Sequence, residues 1–165
     1  MSENIAVTPE LAPKSVADSA ITNYPYILFS NDLNANRTVF GGRLLEIADR
    51  LAGSVAITHS GETCVTVGID EVRFIAPARE GDLVIFKCSA NRVWGTSMEV
   101  GIKVFGRNLK SDAIWHVFTA YFTFVAIDKD GKKQKIRSLI PETADEKRRF
   151  EEANVRRERR LAVRK

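Results

Sequence analysis

The sequence predicts an α+β fold in which one long, apolar helix is wrapped by a curved antiparallel sheet. The first observation is a run of apolar residues at helical spacing directly after Gly41 and Gly42. The second is that most of the chain from Gly61 to Asp128 is rich in β-branched and aromatic residues, as strands are. A helix with so broad an apolar face needs a sheet curved around it. The stripe consists of Leu44, Leu45, Ile47, Ala48, Leu51, Ala52, Val55 and Ala56.

Local signals set the limits and the two faces of this helix. Glycine adopts the left-handed conformation that closes a helix, so the helix is expected to end near Ser60 and Gly61. Glu46 and Arg50 lie four positions apart on the polar face, where they can form a local ion pair. The helix therefore has one buried face and one solvated face.

Four long strands are expected after the helix. Their connections are short, so neighbouring strands form antiparallel hairpins. Residues 98–104 alternate between apolar and polar or small side chains, which indicates one buried face. The last strand, residues 113–128, is apolar on both faces, so a second subunit is expected to cover its outer side. The strand segments are CVTVGIDEVRFIAPA, DLVIFKCSANRVWG, TSMEVGIKVFGRN and AIWHVFTAYFTFVAID, and an earlier strand is expected in YPYILFSND.

The chain is expected to form one domain with an extension at each end. At 165 residues it is long enough to bury one core. Residues 1–22 are interpreted as a flexible arm, with one short helix near Pro9 to Asp18, and residues 23–140 as the domain. Residues 141–165 are interpreted as a charged helical tail that lies on a neighbouring subunit. Residues 142–165 carry +3 of the net charge of +4.

Composition excludes several classes of protein. The 44% hydrophobic and 28% charged content is typical of a folded globular chain, and no apolar run approaches the ~20 residues of a membrane helix. Residues 1–20 do not read as a secretory signal, so a cytoplasmic location with no membrane partner is expected. Cys64, Cys88, His59 and His116 are isolated in sequence, which excludes a disulfide scaffold and predicts no metal site.

Gly41 and Gly42 at the helix start have three candidate uses. A helix N-terminus offers unpaired backbone N–H groups and a partial positive charge, and glycine lets a ligand approach them. A phosphate would suit this position, but the chain lacks the Walker lysine and the GxGxxG pattern. The glycines can also form a turn, or their N–H groups can polarise a carbonyl as an oxyanion hole. The residues alone leave the choice open.

Asp49 and Asn34 are the other candidates for chemistry. Asp49 has no cation three or four positions away and lies at the border of the apolar stripe. A carboxylate there can act as a general base or simply reach water. Asn34 can orient a water or an oxyanion, or it can hold its own turn. Ser54 lies within the helix rather than in a GxSxG turn, so any chemistry belongs to a carboxylate that activates water.

Several stretches taken together resemble a known family. The segment NDLNANRTVFGGRLLEIAD is similar to the first helix and its approach in hotdog-fold acyl-CoA thioesterases of the YciA and cytosolic acyl-CoA hydrolase type. The segments EVRFIAPAREGDLV, VWGTSMEVGIKVF and AYFTFVAID follow in the family's order, before a charged tail. The resemblance covers roughly residues 24–160.

The resemblance implies a hotdog fold in a dimer whose two sheets are continuous, often as three dimers in a hexamer. It also implies an acyl-CoA substrate, active sites at the dimer interface and no cofactor, since CoA is part of the substrate. Asn34 and Asp49 match the catalytic residues, contributed by different subunits, and Gly42 matches the N–H that receives the carbonyl. Thr38 and Arg50 depart from the family pattern. These departures concern which acyl chain is preferred and not whether hydrolysis occurs. Substrate contacts are implied for Phe40, Gly41, Phe74, Gly95, Thr96 and Ser97, although Thr96 and Ser97 can equally form an ordinary hairpin turn.

The leading interpretation is hydrolysis of acyl-CoA to CoA and a free carboxylic acid. The alternative is a hotdog protein that binds acyl-CoA without cleaving it, as a sensor or regulator, but the chain shows no effector element. Nucleic-acid binding would rest on the tail alone, whose nine basic residues are offset by six acids, so no nucleic-acid partner is expected. A hotdog dehydratase would share the fold, which does not fix the chemistry. The acyl-chain length, the number of subunits and the choice between base and nucleophile for Asp49 stay open.

Overall fold

The structure is a computed structural model and describes residues 11–163. A short strand β1 (Lys14–Ser15) precedes β2 (Ile21–Ile27) and a 3₁₀ turn at Ser30–Asp32. One long helix follows, then four long strands, and a second helix closes the described chain. These elements are α1 (Gly41–Ser60), β3 (Thr63–Phe74), β4 (Leu83–Trp94), β5 (Ser97–Arg107), β6 (Ile114–Ile127), β7 (Leu139–Ile140) and α2 (Ala144–Val163).

Helix α1 forms where the sequence predicts it. It begins at Gly41, directly after Phe40, whose backbone is still extended. It ends at Ser60 because Gly61 adopts a left-handed φ of 79° and donates its N–H to the carbonyl of Ile57 at 2.8 Å. The predicted end of the helix is confirmed.

The main sheet is antiparallel, with the strand order β2-β4-β5-β6-β3. The hairpins β4–β5 and β5–β6 confirm the predicted short antiparallel connections. Strand β3 pairs with β6 from Thr63 opposite Ile127 to Phe74 opposite Phe118, and forms one edge of the sheet. Strand β2 forms the other edge, where Pro25 is tolerated because an edge strand has one unpaired side.

The core lies between α1 and the inner face of the sheet. Alternate residues of β5 and β6 are buried there, as the period of two in residues 98–104 predicts. The predicted arrangement of a long helix against an antiparallel sheet is confirmed. No helix of the described residues is long and apolar enough to cross a membrane. The fully buried residues include Leu44, Ala48, Ala52, Val55, Phe86, Met98, Val104, Phe118 and Phe122.

The region before β2 differs from the predicted flexible arm. The short helix expected near Pro9 to Asp18 is wrong for residues 11–18, and residues 1–10 lie outside the described part. Strand β1 pairs in parallel with β7, and the neighbouring Val16 is only 3% exposed. Burial of this apolar side chain and pairing with a distant segment hold the region, and neither is visible in the local pattern. The predicted domain boundary after residue 22 falls inside β2, which begins at Ile21.

Helix α2 lies on the outer face of its own sheet. The guanidinium of Arg156 lies 3.6 Å from the ring centroid of Tyr121 on β6. Arg92 on β4 lies 4.0 Å from the ring centroid of Phe150 and donates to its carbonyl at 3.1 Å. The prediction of a tail laid on a neighbouring subunit is therefore wrong, as is that of a second subunit covering the last strand at Tyr121. Arginines stacked on aromatic rings replace the apolar residues that α2 lacks.

A buried ion pair fixes α2 to the sheet. Glu99 is fully buried on β5, and Arg156 donates to it with a shortest N–O distance of 2.6 Å. Asn91 and Arg160 donate further hydrogen bonds to Glu99, at 3.0 and 3.3 Å. Burial lowers the pKa of Arg156, but the hydrogen bonds and charge of Glu99 outweigh burial and raise it. Arg156 therefore stays charged, and loss of Glu99 would leave that charge buried.

We expect Glu99→Ala to lower the free energy of unfolding by about 3–5 kcal/mol, because the Arg156 guanidinium loses its buried partner. Urea unfolding followed by circular dichroism measures this loss. Glu152→Ala is the matched control, since its pair with Arg148 is half-exposed and lies within α2, where such a pair contributes about 0.5 kcal/mol or less. Equal losses in the two variants would contradict the role of the buried pair.

Candidate active site

The approach to α1 is a tight loop held by the side chain of Asn34. Its Oδ1 accepts hydrogen bonds from the N–H groups of Asn36 at 2.9 Å and Thr38 at 3.3 Å. Its Nδ2 donates to the Thr38 Oγ1 at 3.1 Å. In a single chain Asn34 therefore holds its own turn, one of the two roles that the sequence leaves open. A carboxamide nitrogen has two N–H donors, so one remains for another partner.

Asp32 anchors the same loop to the start of α1. Its carboxylate is 1% exposed and accepts from the Phe29 N–H at 2.9 Å, the Tyr26 hydroxyl at 2.9 Å and the Arg43 Nε at 3.1 Å. Its carbonyl accepts from the Phe40 N–H at 2.8 Å. Burial raises the pKa of this carboxyl, but the bonds from Phe29, Tyr26 and Arg43 outweigh burial and lower it. These contacts fix the position of Phe40, the residue that directly precedes α1.

The first turn of α1 presents free backbone donors. Within the described residues, the N–H groups of Gly41 and Gly42 have no acceptor in hydrogen-bond range, as expected for the first residues of a helix. A Cβ on Gly41 would lie 2.9 Å from the Phe74 ring, and one on Gly42 would lie 2.5 Å from the Phe40 ring. A side chain at either glycine would have to displace the neighbouring ring. The structure thus brings Phe40, Gly41, Gly42 and Phe74 together, and their contacts with substrate stay predictions.

Asp49 lies two turns further along α1 and faces β3. Its half-buried carboxylate accepts a hydrogen bond of 2.7 Å from the Thr66 Oγ1. Thr66 is not among the residues predicted from sequence, because the linear pattern does not show which strand lies beside the helix. It lies opposite Phe124, whose ring is buried in the core, so its side chain faces α1. The sequence held one signal for Thr66: the period of two along β3 places Cys64 and Thr66 on the same face of the strand.

A cavity of about 430 Å³ adjoins the Asp49 carboxylate. Asp49, Gly53 and Ile57 follow one another at one-turn spacing and form its helical wall. The sheet contributes the opposite wall, and polar residues of α1 stand at the rim. Asp49 therefore lies at one end of an open groove that both polar and apolar residues line. The remaining lining residues are Arg50, Ser54, Thr58, Cys64, Thr66 and Phe124.

The other titratable candidates do not join this chemistry. Burial raises the pKa of the Cys64 thiol, and it raises that of Cys88 to about 12, so neither is a ready nucleophile. His59 is fully buried, with Nε2 3.1 Å from the Arg137 carbonyl, and burial lowers its pKa. The described part of the chain holds no group of three or more His, Cys, Asp or Glu side chains that could bind a metal ion.

The turn between β4 and β5 makes ordinary hairpin contacts. Gly95 has a φ of 63°, and the Ser97 Oγ lies 3.4 Å from the Trp94 carbonyl that it donates to. The Thr96 carbonyl accepts from the Ala126 N–H at 3.0 Å. One chain thus shows Thr96 and Ser97 in the hairpin role that the sequence leaves open.

A single chain keeps the predicted site residues apart. Gly42 and Asp49 are separated by seven residues of α1, about 10 Å. The Gly95–Ser97 turn is also distant from the start of α1. Strand β6 lies near the start of α1 at Phe118 and beside the turn at Val125, and about 23 Å of strand separates these two residues. The free N–H groups, the carboxylate and the turn therefore do not converge within one chain.

Comparison with known proteins identifies related chains. Residues 36–111 match the family model described as the thioesterase superfamily. YkhA of Bacillus subtilis, an uncharacterized acyl-CoA thioester hydrolase, is 34% identical over 119 residues, which are 72% of this chain and 69% of that protein. A solved apo-hexameric acyl-CoA thioesterase has a TM-score of 0.89 and 31% identity, covering 93% of this chain and 97% of that one.

An acyl-CoA hydrolase of Staphylococcus aureus, solved with butyryl coenzyme A and coenzyme A, is also similar. Its TM-score is 0.85 at 31% identity, over 92% of each chain. It has further been solved as variants in which an asparagine, an aspartate and a threonine are each replaced by alanine, at positions 15 and then 17 residues apart. The family match, the Bacillus relative and these structures show that the chain belongs to the thioesterase superfamily and has the hotdog fold.

Proposed function

We propose that the protein hydrolyses acyl-CoA thioesters to CoA and free carboxylic acids, at a site that two copies of the chain form together. The observation that carries the proposal is the contact between Asp49 and Thr66, a half-buried carboxylate held by a hydroxyl at the end of a groove. A carboxylate in this position can take a proton from a water molecule. The water attacks the thioester carbonyl, and CoA leaves as a thiolate without needing a strong acid.

The free N–H groups of α1 supply the second half of this mechanism. As the water attacks, the carbonyl oxygen becomes negative, and the N–H of Gly42 at the positive end of the helix can bind it. Such a donor must lie about 3 Å from the oxygen. Within one chain about 10 Å of helix separates Gly42 from Asp49, and we assign the N–H and the carboxylate of one site to two different copies of the chain.

The exposed edge of β3 supports association with a second copy. This edge strand is 12 residues long, and four of its β-branched residues are 37–47% exposed. Long apolar edges of this kind pair with other strands. Pairing two β3 strands would join two five-stranded sheets into one continuous sheet and cover the apolar residues. These residues are Val65, Val67, Ile69 and Val72.

Antiparallel pairing of β3 would also complete the site. Strand β3 runs opposite to α1, since Thr66 contacts Asp49 while Phe74 packs against Gly41. A two-fold axis near the middle of β3 places Thr66 of one chain opposite Phe74 of the other. Asp49 of one chain then approaches the first turn of α1 in the other, where Gly42 offers its N–H. The acyl-CoA would bind across this seam.

The variants of the Staphylococcus aureus hydrolase support the choice of residues. Asn34, Asp49 and Thr66 are likewise 15 and then 17 positions apart. We assign Asp49 to activation of the water and Thr66 to orientation of that carboxylate. Asn34 of the partner uses its remaining N–H to orient the water or the thioester. Substrate contacts are assigned to Phe40, Gly41, Phe74, Gly95, Thr96 and Ser97, which stay predictions.

The wider assembly is also part of the proposal. The hexameric relative supports a trimer of dimers. The reaction needs no cofactor beyond the CoA of its substrate, and the proposal includes neither a nucleic-acid nor a membrane partner. The cytoplasmic location expected from the sequence stays a prediction.

We expect Asp49→Asn to lower kcat by ~10²–10⁴, the usual contribution of a positioned base. Release of free thiol from short-, medium- and long-chain acyl-CoAs measures this. Asp130→Asn is the matched control, because Asp130 lies in an exposed turn and should keep full activity. Wild-type turnover in Asp49→Asn would remove the carboxylate from the mechanism. Binding without thiol release by the wild type would favour the sensor instead.

Thr66→Val is expected to lower kcat about tenfold or more, because a hydrogen bond to a charged group contributes about 1.5–3 kcal/mol. KM should change much less, since the hydroxyl orients Asp49 and not the CoA. Thr66→Ser keeps the hydroxyl and should restore most of kcat. Steady-state kinetics on one acyl-CoA compare the three proteins, and equal kcat in the valine and serine variants would refute this role.

A further inference from the structure

We infer that Gly53 determines which acyl chains the protein accepts, by keeping open the groove that runs along α1 from Asp49 to Ile57. The groove would take chains of medium length in preference to acetyl. The inference rests on the proposed hydrolysis of acyl-CoA and adds to it a residue that selects the substrate.

Gly53 is an unfavourable residue at its position. It lies in the interior of α1, where glycine stabilises a helix less than any residue except proline. Its φ is not positive, so backbone conformation does not require glycine. An added Cβ would lie 3.7 Å from the nearest atom, the Cε1 of Phe124, which is an ordinary contact. Alanine would therefore fit and would strengthen the helix.

Close packing explains Gly41 but not Gly53. At Gly41 an added Cβ would lie 2.9 Å from the ring of Phe74, so a side chain there would have to displace that ring. At Gly53 the space is free, and it is part of the cavity of about 430 Å³ beside Asp49. The absent side chain thus leaves room in a place where the packing of one chain does not need it.

The position of this room matches the path of an acyl chain. Gly53 and Ile57 lie about 6 and 12 Å beyond Asp49 along α1. The carbon next to the thioester carbonyl lies at Asp49, so a chain that continues along this wall passes over Gly53 and ends near Ile57. Phe124 and Cys64 form the opposite wall. These surfaces suit a hydrocarbon better than the amide-rich arm of CoA, whose polar groups would lose their hydrogen bonds to water.

The test compares the wild type with Gly53→Ala and Gly53→Val. The readout is the ratio of kcat/KM for decanoyl-CoA to kcat/KM for acetyl-CoA. We expect Gly53→Val to lower this ratio by about 10-fold or more, the usual discrimination for one or more methylene groups in an apolar pocket, and Gly53→Ala to lower it less. Gly53→Ala should also raise Tm by about 2–4 °C, because alanine favours the helix. A purely structural glycine would change Tm without changing the ratio.

Ala162→Val is the control. It enlarges an exposed side chain on α2, which lies on the outer face of the sheet away from the groove, and it should leave the ratio unchanged. An unchanged ratio in both Gly53 variants, or an equal loss for both substrates, would overturn the role of Gly53 while leaving the proposed hydrolysis in place. A wild type that releases no thiol from either substrate would overturn the proposed function and the inference together.

Discussion

The geometry of the proposed site depends on one distance along α1. About 10 Å of α1 lies between the free N–H groups of its first turn and the carboxylate of Asp49. The helix cannot shorten this distance, because fully buried residues such as Leu44, Ala48 and Val55 hold it against the sheet. In the proposed mechanism the N–H donor and the carboxylate that act on one carbonyl therefore come from two different copies. The long apolar edge of β3 favours aggregation when it is exposed. In the proposed dimer this edge would form the contact between the two copies.

Two networks of charged groups hold α1 and α2 in position. On the inner side, the buried carboxylate of Asp32 ties Arg43 in the first turn of α1 to the loop before it. On the outer side, Glu99 and Arg156 fix α2 to the back of the same sheet. The carboxylates of Asp32 and Glu99 are both buried, and neither lines the groove at Asp49. The carboxylate of Asp49 has a hydroxyl as its hydrogen-bond partner and no cation within 4 Å in the described residues.

Local signals in the sequence were enough for α1, its ends and the antiparallel hairpins. The apolar stripe, the glycine at residue 61 and the short turns act over a few residues, and a linear pattern shows them. The predictions that were wrong or incomplete concerned contacts between residues far apart in the sequence. The segment around Val16 is held by β7, and α2 docks on its own sheet through arginines on Tyr121 and Phe150. The hydrogen bond of Thr66 to Asp49 was missed for the same reason. The residues themselves made Asn34 and Asp49 candidates with open roles, and the family resemblance assigned them to catalysis. Their convergence stays a prediction because it crosses two chains.

Complementation between two inactive variants tests the shared site most directly. Asn34→Ala and Asp49→Ala would be unfolded and refolded together, and thiol release from one acyl-CoA compared with that of each variant alone. In a mixed dimer one site loses both residues and the other keeps both. Random pairing makes half of the dimers mixed, so the account predicts recovery of about a quarter of wild-type activity. A mixture no more active than its components would show that each chain builds its own site, and would contradict the account.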